Sequence, residues 1–222
     1  MKKLFIHIPK NAGMTIRDSE IFKDKILVVN KHMIQNFKRF RDVMRSYEER
    51  DTKGVEHARW RDVNANRTSQ HQTFAIVRNP WSKVVSRYLF AKQAVQRNLL
   101  KPDYANTNSL DAFIEERHKW IDKDLTWYRA IRGWHPQIDH VTDIDGNVKC
   151  DILRLENLNE DAVKYFGIDE MPRARNVTSI KENYRDLYNP ATIQIIADWY
   201  KKDIDYWQFD FDTGAQKNYW NL

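Results

Sequence analysis

Three short, nearly unbroken apolar runs, at residues 4–8, 26–29 and 73–77, and a fourth candidate at 150–155, are separated by longer stretches with helical spacing. Strands that are apolar at successive positions, rather than at every second one, are covered on both faces. Their alternation with helices predicts an α/β three-layer sandwich around a central, mostly parallel sheet. In such sheets ligands bind beyond the carboxyl ends of the strands, so the loops after the first and third runs are where chemistry is expected.

The helical stretches carry their own punctuation. Met33, Phe37, Phe40, Met44 and Tyr47 recur at steps of four, three, four and three, marking one apolar face among basic residues. Asn79-Pro80 reads as an N-cap followed by proline in the first turn, opening a helix through Val84, Val85, Tyr88 and Leu89. Asn189-Pro190 repeats that signal before Ile193, Ile196, Ala197, Tyr200 and Ile204. Ser109 is expected to cap a helix holding Leu110, Phe113 and Ile114, and Asn157 one that ends near Gly167. An Asp-Gly turn within residues 143–147 predicts a small hairpin between residues near Val141 and Val148. No repeat, low-complexity segment or linker divides the chain, which reads as a single domain over residues 1–222.

Composition narrows the partners. With 41% hydrophobic residues, including eight Trp, ten Tyr and ten Phe, the chain has the material for a core and is not disordered. A formal charge of +6 suits an anion: a nucleotide, a sulfated or phosphorylated sugar, nucleic acid or a membrane surface. Cys150 is the single cysteine, which excludes an intrachain disulfide and a thiolate metal cluster and makes it a core residue by expectation. No apolar run approaches the roughly 20 residues of a membrane span. Lys10 also follows too few apolar residues for a signal core, so a cytoplasmic protein of a reducing compartment is expected.

The first loop, in "LFIHIPKNAGMT", joins a lysine, a glycine and a helix start. Gly13 is read as letting the backbone turn tightly and approach a ligand. The helix start offers N–H groups, Lys10 a charge and Thr15 a hydroxyl. This is not a Walker A loop, whose lysine follows the second glycine; here Lys10 precedes the only one. In the second, "FAIVRNPWSKVVSRY", Arg78 leaves the strand with a fork of donors suited to phosphate, and Ser86 follows within the helix.

Together "FIHIPKNAGMTI" and "IVRNPWSKVVSRY" resemble the 5′-phosphosulfate and 3′-phosphate motifs of sulfotransferases, particularly the carbohydrate-type (family 2) branch and its bacterial and viral relatives. The two motifs cover about 25 residues, and a looser resemblance runs through "ILRLENLNED" and "YNPATIQIIADWYKKDIDYW". The family usually has threonine where Asn11 and Met14 stand, and often arginine at Lys83. The resemblance implies a P-loop-NTPase-like sulfotransferase fold and 3′-phosphoadenosine 5′-phosphosulfate (PAPS) as donor. Lys10, Asn11, Ala12, Gly13, Met14 and Thr15 would surround its 5′ end, and Arg78 and Ser86 would hold its 3′ phosphate. It implies weaker roles near the nucleotide for Arg154, Asn176, Thr178 and Lys181.

Sulfuryl transfer requires in-line geometry and neutralisation of charge on the leaving oxygen, which Lys10 can supply without a metal. The acceptor hydroxyl also needs a base. His57 in "GVEHARWRDV" is the first candidate, because it lies in a segment similar to one preceding the 3′-phosphate motif in bacterial relatives; His32 and Glu56 are the alternatives. His7 is expected to be structural, and no His, Asp or Glu spacing suggests a metal site. The basic-aromatic segments 38–50 and 117–135 are candidates for an acceptor groove, with a carbohydrate the leading acceptor. Two other readings stay open: a kinase of related architecture, and a non-enzymatic nucleic-acid-binding module suggested by the charge and aromatics.

Overall fold

The computed structural model describes residues 1–46, 54–99, 105–120, 133–175 and 183–212. In chain order its regular elements are β1 (Lys3–Phe5), α1 (Gly13–Arg17), β2 (Ile26–Val28), α2 (Phe37–Ser46), α3 (Ala65–Gln70), β3 (Thr73–Val77), α4 (Pro80–Gln96) and α5 (Leu110–Glu115). They continue with α6 (Ile138–Val141), β4 (Asp151–Arg154), α7 (Leu158–Phe166), α8 (Pro190–Trp199) and α9 (Lys201–Trp207), with short 3₁₀ turns between several of them. The four strands form one sheet in the order β2-β1-β3-β4, and every pairing is parallel. All four carboxyl ends therefore share one edge.

β3 shows why its sequence is apolar without alternation. All five of its residues are buried, Phe74 and Ile76 facing one core and Ala75 and Val77 the other. The first core gathers Phe5, Ile16, Phe22, Leu153, Leu158 and Phe166, under α1 and α7. The second gathers Leu4, Ile6, Phe40, Val84, Ile114, Ile196 and Trp207, under α2, α4, α5, α8 and α9. Each such large side chain contributes roughly 1.5–3 kcal/mol by leaving water.

Three of the predicted caps form, whereas Asn157 takes the N-cap position of α7 without a side-chain cap bond. The Asn79 side chain accepts from the Trp81 and Ser82 amides, Ser109 from Ala112, and Asn189 from Thr192. Gly167 ends α7 in the left-handed conformation, with φ 58°. Cys150 is a buried core residue whose thiol burial pushes up to about 12.

Some boundaries differ from expectation: β1 covers Lys3–Phe5 and not residues 4–8, and β4 is a residue shorter at each end than 150–155. Met33 is not part of α2: Ile34 is extended and bridges Val63, which interrupts the helix and leaves Met33 in a 3₁₀ turn, Lys31–Met33. Tyr47 lies outside the described residues. The hairpin forms where expected: Thr142 bridges Val148, and the Lys149 amide donates to the Val141 carbonyl at 2.8 Å. The last helix breaks at Tyr200, whose hydroxyl donates to the Gly133 carbonyl at 3.0 Å. Among the described residues no helix is long and apolar enough to cross a membrane.

Candidate active site

The loop after β1 is bent by residues other than its glycine. Lys10 and Ala12 take left-handed backbone angles, φ 71° and 56°, whereas Gly13 does not. Two such non-glycine residues cost roughly 2–4 kcal/mol. Between them Asn11, fully buried, donates from Nδ2 to the Ile76 carbonyl and to Gln137 Oε1, both at 2.7 Å. Those bonds contribute about 1–3 kcal/mol, which offsets much of the strain. The Asn11 side chain is thereby turned inward, which leaves its main chain as the part of the residue free to face outward from the loop.

Gly13 serves a different purpose from the one read in the sequence. A Cβ at this position would sit 1.6 Å from Nε2 of His7, so glycine is needed because the imidazole lies against its Cα. Gly13→Ala should therefore lower the melting temperature by roughly 2–12 °C, from 1–3 kcal/mol of overpacking. A thermal melt matching the parent would show that His7 moves aside freely.

Lys10 is half-buried, its Nζ lying 4.4 Å from the centroid of the Phe90 ring. Burial, together with the nearby Arg78 and Arg87 charges, pushes its ammonium down to about 8. Arg78, the first residue past β3, donates from Nε to Ser82 Oγ at 2.8 Å and from Nη1 to the Lys10 carbonyl at 3.2 Å. Burial pushes its guanidinium down to about 10. Ser82, one turn before Ser86 on α4, is thus the hydroxyl that orients Arg78; Ser86 is half-buried on the same helix. Thr15 Oγ1 accepts from the Arg175 amide at 3.0 Å, and Met14 is exposed.

One cation was missed. The Arg87 guanidinium carbon lies 4.3 Å from the Trp134 ring centroid and near Phe113, and a Cβ on Gly133 would collide with the side chain. The legible signal was the spacing of Lys83 and Arg87, four apart on one face of a helix that starts at the site. Lys83 is wholly buried and donates to the His135 carbonyl at 3.4 Å. Burial pushes its ammonium down and pushes the Asp203 carboxyl, its opposite charge, up.

His57 is buried beneath the first loop, its ring 4.1 Å from that of His7. Its Nδ1 lies 2.9 Å from the His7 carbonyl, which can only accept, so Nδ1 carries the proton and Nε2 is the basic nitrogen. Glu56 Oε1 stands 3.8 Å from Nε2 and 3.9 Å from Arg17 Nη1. His32 is exposed on the turn after β2, its amide bonded to Asn30. His7 stacks on Phe5 in the core.

The remaining candidates scatter. Arg154 is buried against Phe209, and its Nη2 donates to the Trp207 carbonyl, which ties β4 to α9. Asn176, Thr178 and Lys181 lie outside the described residues, as do residues 47–50 and 121–132 of the two basic-aromatic segments. Lys38 and Arg39 are exposed on α2. A cleft of about 780 Å³ opens beside the loop, lined by Ala12, Thr15, Leu155, Leu158, Val163 and Met171 among others. Among the described residues no group of three or more His, Cys, Asp or Glu is placed to hold a metal ion.

No family model matches the chain, and a search of curated proteins found no significant match. Among solved structures the chain is similar to the crystal structure of a sulfotransferase from Alicyclobacillus acidocaldarius, at 14% identity and a TM-score of 0.49, over 95% of this chain and 97% of that one.

Proposed function

We propose that the protein is a sulfotransferase that moves a sulfuryl group from PAPS to an acceptor hydroxyl, with a carbohydrate the leading acceptor class. One observation carries this reading: Lys10, Arg78 and Arg87 converge at the carboxyl edge of a parallel sheet. Burial pushes Lys10 and Arg78 down, and Lys10 is lowered further by the two arginines. Such a cluster is costly without a ligand and favourable around a polyanion. The cleft beside Ala12 and Thr15 has the volume for a nucleoside, with Leu155, Leu158, Val163 and Met171 as apolar wall residues among the charged Glu160, Lys164, Asp169, Glu170 and Arg173. Backbone amides from Asn11 to Thr15, with Lys10, would take the 5′ phosphosulfate; Arg78, with Ser86 further along α4, would take the 3′ phosphate.

In the reaction the acceptor oxygen attacks sulfur as the bond from sulfur to the bridging phosphate oxygen breaks. Lys10 neutralises the charge that grows on that leaving oxygen. His57 Nε2 takes the proton from the acceptor, and Glu56 steadies the imidazolium that results.

Removing the Arg78 guanidinium deletes a charge-assisted phosphate contact worth on the order of 1.5–3 kcal/mol. Arg78→Ala should weaken 3′-phosphoadenosine 5′-phosphate binding by roughly 10- to 150-fold, measured by calorimetry. An unchanged affinity would remove Arg78 from the phosphate site. Transfer should also run undiminished in chelator; loss there with recovery on adding Mg²⁺ would favour a kinase, as would tighter binding of ATP than of the bisphosphate.

A further inference from the structure

Besides the direct bond from Arg78 to the Lys10 carbonyl, a buried amide joins the two anion loops to each other. Gln137, which immediately precedes α6, is fully buried. Its Oε1 accepts from Asn11 Nδ2 at 2.7 Å and from the Arg78 amide at 3.0 Å. Its Nε2 donates to the Arg78 carbonyl at 2.7 Å and to Asp203 Oδ2 at 3.3 Å. The orientation of the amide is forced, because the Arg78 N–H can only donate and its C=O can only accept. Asp203, fully buried on α9, also receives the Gln137 and Ile138 amides at 2.8 and 2.9 Å. The chain of contacts runs from α9 through Asp203 and Gln137 to the main chain of Arg78 and the side chain of Asn11.

We propose that Gln137, anchored by Asp203, is a positioning residue that fixes the separation of the Lys10 loop from Arg78 and so matches the site to a ligand with two anionic ends. The proposal rests on the donor reading above. Gln137 bonds the main chain of Arg78 and the side chain of Asn11, so its effect passes through them. A nucleotide phosphorylated at both 3′ and 5′ positions must satisfy both loops at once, with a spacing set by its ribose. A ligand with only the 5′ phosphate is bound by one loop and is indifferent to that spacing. Loosening the clasp should therefore erode the preference between the two ligands rather than binding as such.

The test compares 3′-phosphoadenosine 5′-phosphate with adenosine 5′-phosphate by calorimetry, on the parent protein, Gln137→Met and Asp203→Asn. Methionine keeps the length of Gln137 without its hydrogen bonds. Asparagine at 203 keeps the size of the side chain and weakens the anchor on Gln137; because it also removes the opposite charge of Lys83, its readout is the ratio between the two ligands and not the affinity for either one. Both variants are expected to lose at least about tenfold of the bisphosphate preference, the equivalent of 1.4 kcal/mol, with the 5′-phosphate affinity within roughly threefold of the parent. Should Gln137→Met fail to fold, Asp203→Asn reads the same ratio from outside the amide. A preserved ratio in folded variants, even with lower melting temperatures, overturns the clasp and leaves Gln137 a structural residue. A parent protein with no preference for the bisphosphate overturns the donor reading itself, and the clasp with it.

Discussion

Lys10→Met should cut sulfuryl transfer by a factor on the order of 10²–10³, the cost of removing one preorganised donor from a developing oxyanion, while the protein stays folded. Methionine keeps an unbranched stem over Phe90 and loses only the charge. That charge is a net cost to the fold: burial, Arg78 and Arg87 all disfavour the ammonium and outweigh its contact with the Phe90 ring. The sign follows from linkage. Between about pH 8, where the folded chain releases the proton, and the ordinary lysine value of 10.5, the unfolded chain still holds it. Stability from this group therefore rises with pH across that window, and Lys10→Met should flatten the rise. Affinity for an anion runs the other way and should fall above about pH 8 in the parent protein. Activity and thermal melts on the same preparation decide the matter. A melting temperature that collapses together with turnover would make Lys10 a structural residue.

The second large effect is expected at His57. With Nδ1 donating to the His7 carbonyl, Nε2 holds the lone pair, and His57→Ala should lower turnover by roughly 10²–10⁴-fold. Donor affinity should barely change, because the proton removed belongs to the acceptor. The parent rate should fall in acid, as the base becomes protonated. His32→Ala and Glu56→Gln serve as parallel measurements. His32 stands exposed on its turn, and Glu56 reaches only the edge of the His57 ring. Wild-type turnover in His57→Ala alongside its loss in His32→Ala would move the base to His32.

How much of this was legible varies with the range of the interaction. β3, the Asn79, Ser109 and Asn189 caps and the Gly167 stop are decided within a few residues, and the sequence spells them out. At the breaks, Ile34 bridges Val63 and the Tyr200 hydroxyl bonds Gly133, partners far along the chain that no helical spacing reveals. The site divides the same way. Lys10 and Arg78 announce themselves by following apolar runs. Gln137 carries no local signal, since its partners are Asn11, Arg78 and Asp203. Gly13 was legible as necessary and misleading as to why, because the His7 ring that requires it leaves no mark on the backbone angles.

If the loop takes an anion as proposed, the left-handed pair at Lys10 and Ala12 has a kinetic meaning. Because Asn11 already holds this loop in its bent form, an arriving anion does not have to fold the chain around itself. The cost of ordering is met when the protein folds, so encounter limits the speed of capture and differences among ligands fall on how long each one stays.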